Sequence, residues 1–265
     1  KGARYYLDMV DGADPDWLDV MVLCHYKSLF DGKPVYHPFW NENIHVSKSP
    51  LPVERNRELY LAFDFGLTPA CVAGQLMPNG QLRILREWCS ENMGLRQFCR
   101  DLLLPDLSRD FNGMRYVVTG DPAGAQRSQV DRDDSCYAEL ARNGLSCTAA
   151  RTNDFEPRRR AVINRLTYLA GGEPGYLLDP SCQMLRQGFT GGYMFELINR
   201  VGEGGTLRYR EQPSKNIFSH IHDANQYLCL YLQPEATAVR DGFRRMMDDN
   251  RRRMNRLRDR DILEV

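Results

Sequence analysis

Three aspartates in this 265-residue chain sit where carboxylates can act together. Asp64 closes the apolar run Leu59-Tyr60-Leu61-Ala62-Phe63, which reads as a buried strand. Asp121 closes a second run, Tyr116-Val117-Val118-Thr119-Gly120. Asp223 falls in the first turn of a helix predicted over 219–232, within Ser219-His220-Ile221-His222-Asp223-Ala224. In a mixed sheet the two strands can be neighbours, so that their terminal carboxylates face each other and a third from the helix start completes the cluster. Bare carboxylates held together repel, and burial adds a desolvation cost. A divalent cation relieves both, and oxygen donors suit Mg²⁺ or Mn²⁺ rather than zinc. Two such ions roughly 3.5–4 Å apart activate water and stabilise the leaving oxygen of a phosphodiester. Each aspartate also has a plainer use, because strand-end aspartates commonly cap the next turn.

The elements that must position these acids follow from periodicity and punctuation. Strands are predicted over 59–66, 70–77 and 82–89, the last two joined at Asn79-Gly80 as a hairpin. A helix over 94–104, a strand over 116–121, a helix over 130–142 stopped at Asn143-Gly144 and a strand over 145–149 come next. A helix over 157–169 stops at Gly171-Gly172. A short helix over 181–187 precedes a hairpin, 192–198 with 206–210, around Gly202–Gly205. The last helix carries Ile221, Ala224, Leu228 and Tyr231 on one face. Meander strands followed by alternating helices and strands imply an α/β fold with a mixed sheet. Residues 1–57 are rich in turn signals, hold a short helix over 16–27 and read as a connector; 58–233 read as the functional domain. Residues 234–265 read as a solvated helix or disordered tail whose Arg251-Arg252-Arg253 is a candidate for contacting DNA or an acidic partner.

Lys+Arg and Asp+Glu are both 35, so the formal net charge is zero. That excludes a surface that is basic throughout and leaves room for a local basic groove. The basic residues are 30 arginines and five lysines, and Lys215 is the one lysine after Lys48. No apolar run approaches the ~20 residues of a membrane span. Eight cysteines without a Cys-x-x-Cys pair point to free thiols in a reducing cytosol. The chain opens at Lys1 without an initiator methionine and is expected to be part of a longer protein.

The residues Leu61–Thr68, Gly120-Asp121-Pro122-Ala123-Gly124, Leu178-Asp179-Pro180-Ser181-Cys182 through Gly191-Gly192-Tyr193, and Pro213-Ser214-Lys215-Asn216 followed by Ser219–Leu228 resemble the nuclease domain of the large terminase subunit of tailed bacteriophages. The last block is the most specific, and residues 33–57 are similar to that family's connector. The resemblance implies a ribonuclease H-like mixed sheet flanked by helices with an added β-hairpin. It implies an endonuclease that cuts concatemeric viral DNA during packaging, with Asp64, Asp121 and Asp223 as catalytic, metal-binding acids for two divalent cations, Mg²⁺ or Mn²⁺. It also implies an ATPase domain in the same polypeptide, a portal protein, a small terminase subunit and double-stranded DNA as partners, and no membrane. The location implied is the infected host's cytoplasm, docked transiently on the procapsid and absent from the mature virion. No Gly-x-x-x-x-Gly-Lys-Ser/Thr occurs here, so ATPase activity is not expected of this chain.

Auxiliary candidates are Lys215, which could contact the scissile phosphate, and His220 and His222 for proton transfer. Arg158, Arg159, Arg160, Arg208 and Arg210 are candidate phosphate contacts. Nothing in their spacing places Glu139 or Glu156 at the site. Holliday-junction resolvases and transposases share the implied fold and are alternatives. A sugar-kinase or actin-like phosphotransferase would also use Asp64-Phe65-Gly66-Leu67-Thr68, but a second Asp-x-Gly-x-Thr is missing. A non-catalytic module docking on a portal or DNA is a third class.

Overall fold

The structure, a computed structural model, describes residues 32–66, 68–126, 135–200 and 207–233. The helix expected over 16–27, Cys24, the Gly202–Gly205 turn and the arginine-rich 234–265 lie outside them. The described residues up to Tyr231 group as one compact unit. In chain order they form β1 (Gly32–Pro34), α1 (Glu42–His45), β2 (Leu59–Asp64), β3 (Ala70–Leu76), β4 (Leu82–Cys89), α2 (Leu95–Phe98) and α3 (Leu104–Asp110). Next come β5 (Tyr116–Gly120), α4 (Cys136–Arg142), β6 (Cys147–Ala149), α5 (Phe155–Thr167), β7 (Leu169–Ala170), β8 (Glu173–Pro174) and β9 (Tyr176–Leu178). The last elements are α6 (Gln183–Gln187), β10 (Met194–Arg200), β11 (Leu207–Tyr209) and α7 (Ser219–Tyr231).

The central sheet has the order β6-β5-β2-β3-β4-β9. β2, β3 and β4 form the antiparallel meander, while β5 runs parallel to β2, β6 to β5 and β9 to β4. One face packs Leu59, Leu61, Phe63, Leu85, Trp88 and Val118 against Phe98, Leu103, Leu107, Phe111 and Leu140. The other face is covered by α7, with α5 packed on α7. β1, β10 and β11 form a separate antiparallel sheet, so the hairpin expected at 192–210 gains a strand from the connector. Val35 and Tyr36, just after β1, are fully buried. From residue 32 on, the connector is therefore packed into the same unit as the rest. The seven described cysteines are free thiols, four of them buried. Among the described residues no helix is long and apolar enough to cross a membrane.

Several elements differ from expectation for physical reasons. The helix expected to stop at 104 continues to Asp110, because a wider turn at Cys99–Leu103 lets Pro105 fall in the first turn of a new helical stretch, where its missing N–H costs little. Gly171-Gly172 is the turn of a small hairpin, both residues at positive φ, and not a helix cap; the helix has already ended at Thr167. β9 was too short for its periodicity to be read, yet it extends the sheet past β4. Most consequentially, α7 is buried from Ile221 to Leu230 on every side, its polar residues included.

Glu87 on β4 ties α6 to the sheet. Its carboxylate accepts the Met184 and Leu185 N–H groups at 2.7 and 2.9 Å, closing that helix's N-terminus. Burial pushes Glu87 up to about 7, although both backbone donors pull it down. The folded protein therefore keeps a proton that the unfolded chain, titrating near 4.5, has released. The contribution of this group to stability is fullest below that lower value and is lost as pH rises through about 7. Urea denaturation across pH should show this decline, and Glu87→Gln should flatten it.

Candidate active site

β2 and β5 pair in parallel with Leu59 opposite Tyr116 and Phe63 opposite Gly120, and the Asp121 N–H donates to the Phe63 carbonyl at 3.1 Å. The next residue on each strand is an aspartate, so Asp64 and Asp121 stand at adjacent strand ends. Strand alternation puts both on the face away from Leu61, Phe63 and Val118, the face that α7 covers. α7 runs antiparallel to β2: His220, near its start, meets Asp64, and Tyr231, at its end, has its ring 6.3 Å from that of Tyr60. Asp223 thus arrives beside the two strand ends. Tyr227 lies one turn further along α7; burial raises its hydroxyl's pKa, Arg158 pulls it down, and Asp121, Asp64 and Asp223 raise it.

The loops after the two strands interlock. The Phe65 ring stacks on Phe63 at 5.7 Å and meets Tyr137 at 5.6 Å. A Cβ on Gly120 would lie 2.8 Å from Phe65, and one on Gly124 would overlap the same ring. The Tyr137 hydroxyl donates to the Asp121 carbonyl at 3.0 Å. The glycines flanking Asp121 are therefore the seat of the phenylalanine that follows Asp64.

Asp64 and Asp121 each have one oxygen engaged by the protein, and Asp223 has both. Asp64 Oδ2 is 2.8 Å from His220 Nδ1. Asp121 Oδ1 accepts the Ala123 N–H at 2.9 Å, which is the capping role that a strand-end aspartate commonly takes. Asp223 Oδ1 accepts from Arg158 Nη1 at 3.0 Å and from the Tyr193 hydroxyl at 3.4 Å, while Oδ2 accepts from Lys215 Nζ at 2.7 Å. Among the described residues none donates to Asp64 Oδ1 or Asp121 Oδ2. Burial foremost, and the Asp223 charge with it, push Asp64 up to about 6, although His220 and Lys215 pull it down. A cation beside Asp64 would favour its ionised form.

The donor set fits a hard divalent cation in kind: three carboxylates, two with an oxygen unclaimed and one with an oxygen held by an exposed lysine. Among the described residues no three His, Cys, Asp or Glu side chains stand close enough to enclose a metal ion. Among the described residues, Arg158 and Lys215 place positive charge beside Asp223. Lys215 and His220 also line an adjoining cavity of about 410 Å³, with Thr68, Cys89, Met184 and Ile217 among its walls.

The remaining candidates divide clearly. His222 is fully buried, stacked on Tyr193 at 4.9 Å and edge-on to Phe189 at 4.6 Å, and burial pulls it down to about 3. Gly188 lies directly against its ring. His222 is thus a neutral core residue and not a proton carrier. Arg158 is buried and paired to Asp223, so it is not a phosphate clamp. Arg159 donates to the Val35 carbonyl at 3.1 Å and pairs with Glu156. Arg160 and Arg208 are exposed, and Arg210 forms an exposed pair with Glu196. Glu139 pairs with Arg96 and Arg142, away from the acids. Sequence reasoning missed Tyr193 and Tyr227; the i, i+4 spacing from Asp223 was the available signal for Tyr227.

No family model and no curated protein matches this chain. Among solved structures, the large terminase of a thermophilic bacteriophage in complex with ADP aligns over 74% of this chain and 44% of that one, at 18% identity and a TM-score of 0.54. The P22 large terminase nuclease domain aligns over 76% of this chain and 94% of that one, at 14% identity and a TM-score of 0.53. The fold is the ribonuclease H-like fold of large terminase nuclease domains. The chain spans less than half the length of the ADP-bound terminase and nearly all of the P22 nuclease domain. The large terminase nuclease of thermophilic phage G20c with bound cobalt is a looser likeness, at 11% identity and a TM-score of 0.47.

Within this terminase nuclease fold, the Phe65 seat links the two strand-end acids, and that link can be tested. Gly124→Ala should destabilise the protein by about 1–3 kcal/mol through overpacking. Adding Phe65→Leu should recover part of the loss, giving a non-additive cycle in urea denaturation. Additive losses would show that the glycine is not a seat for the ring.

Proposed function

We propose that this chain is the nuclease part of a phage DNA-packaging terminase, a metal-dependent endonuclease that cuts concatemeric double-stranded DNA with little sequence preference. The observation that carries this reading is the in-register pairing of β2 with β5, which sets Asp64 beside Asp121 under a helix that supplies Asp223, within a terminase nuclease fold. Asp64 with Asp223 would hold one Mg²⁺ or Mn²⁺ and Asp64 with Asp121 the other; bound there, the ions supply water activation and stabilisation of the leaving oxygen. The chain's own groups do the rest. His220 orients Asp64 and lines the adjoining cavity, where it can take or give a proton. Lys215, exposed beside the acids, meets the scissile phosphate. Arg160, Arg208 and Arg210 hold the DNA backbone and carry no sequence information.

For the full protein the reading extends to an ATPase domain in the same polypeptide, a portal protein and a small terminase subunit. It places the protein in the infected host's cytoplasm, docked transiently on the procapsid and absent from the mature virion. The formal neutrality of the chain suits weak, salt-sensitive DNA capture by this part alone.

Plasmid digestion tests the chemistry. Cleavage should occur with Mn²⁺ or Mg²⁺ and stop with EDTA. Asp64→Asn and Asp121→Asn should remain folded and lose at least the roughly 100-fold that even an outer partner of a metal ligand can cost. Wild-type cleavage that survives EDTA would sink the reading. Separately, Arg208→Ala with Arg210→Ala should weaken duplex binding about equally across sequences and reduce the slope of log affinity against log salt by about 2.

A further inference from the structure

The two oxygens of Asp223 are held in different ways. Oδ1 is engaged from inside the protein, by Arg158 at 3.0 Å and the Tyr193 hydroxyl at 3.4 Å, both residues buried. Tyr193 is itself fixed, because the Gln226 amide donates to its hydroxyl at 3.2 Å and to that of Tyr36 at 2.9 Å. The Arg158 guanidinium lies over the Tyr227 ring, 4.7 Å from its centre. Oδ2, in contrast, meets Lys215 at 2.7 Å, and that side chain is 71% exposed and lines the cavity beside the acids. A buried arginine cannot leave without stranding a carboxylate, whereas an exposed, hydrated ammonium moves at little cost.

On the metal-nuclease reading above, we propose that Arg158 is a positioning residue: with Tyr193, it holds Oδ1 of Asp223 so that Oδ2 alone is presented to the cleft, and Lys215 occupies the place on Oδ2 that a divalent cation takes. Asp223 is then a ligand through one oxygen. Its orientation is set before the cation arrives, so the ordering cost is met on folding and not on binding. Two opposite effects on cation affinity follow. Loosening Oδ1 weakens binding, in the range of about 10–100-fold known for outer partners of metal ligands. Removing Lys215 strengthens binding, because the cation no longer has to displace an ammonium. A merely structural Arg158–Asp223 pair would change stability and leave the cation affinity of the folded protein unchanged.

Mn²⁺ titration calorimetry on the whole 265-residue chain, with thermal denaturation alongside, separates these cases. Tyr193→Phe keeps the ring and loses only the hydroxyl, and Arg158→Lys keeps the charge and loses the planar fork. Both should bind Mn²⁺ about 10-fold or more weakly while folded. Lys215→Met should bind it several-fold more tightly. If Arg158→Lys fails to fold, Tyr193→Phe decides. Wild-type affinity in folded Tyr193→Phe overturns the positioning role, and unchanged or weaker binding in Lys215→Met overturns the displacement, with the nuclease reading left standing in both cases. No Mn²⁺ binding by the wild type, or binding indifferent to Asp64→Asn, removes the nuclease reading and this inference together.

Discussion

Parallel pairing of β2 with β5 in a fixed register obliges two carboxylates to end side by side, and the antiparallel passage of α7 adds a third. Like charges brought to neighbouring positions in a partly buried cleft repel more strongly than they would in water. Much of the surrounding structure answers that repulsion. Arg158 enters from α5 behind Asp223, Lys215 reaches over it from the segment before α7, and His220 lies on Asp64. Asp64 nonetheless sits at about 6, raised by burial first and by the Asp223 charge after it. On the proposed nuclease reading, a cation in this cleft would offset both the burial of Asp64 and the repulsion between the acids.

Holding such a cluster in place requires polar groups in the core, where unsatisfied ones are costly. α7 carries this burden. Between Ile221 and Leu230 it buries His222, Asp223, Asn225 and Gln226 among Tyr36, Tyr176 and Tyr193. Tyr176 donates to Asn225 Oδ1 at 3.0 Å, and Gln226 joins two tyrosine hydroxyls. Phe65, locked against Gly120 and Gly124, does the corresponding work on the sheet side with shape in place of hydrogen bonds. The two devices approach the acids from opposite sides.

This division explains what could be read in the sequence. Strand-end aspartates are legible because alternation and turn chemistry are local; the mixed-sheet pattern allowed the two strands to be neighbours, and the structure pairs them. The glycines around Asp121 were visible as a motif, but their reason was not, because Phe65 is more than fifty residues away along the chain. Arg158 sits in a run of three arginines that looks like a solvated helix face; only the packing of α5 on α7 turns one of them inward to Asp223. His222 and His220 were indistinguishable as neighbours of an aspartate, yet one helical step of two residues sends one into an aromatic box and the other to the cleft. The spacing predicts one apolar face for α7, of Ile221, Ala224, Leu228 and Tyr231, whereas the polar residues between them are buried as well.

The same reasoning recasts the arginines as a class. A chain with thirty of them invites the picture of a basic DNA clamp, but many of the described ones already have an acidic partner. Exposed pairs of this kind contribute little to stability and can exchange a carboxylate for a phosphate at small cost. Arg210, on the hairpin and paired with Glu196, belongs to that group. Arg158 does not, because leaving Asp223 would strand a buried charge. Burial, and not position in a basic run, therefore separates Arg158, held by Asp223, from the exposed arginines among the described residues.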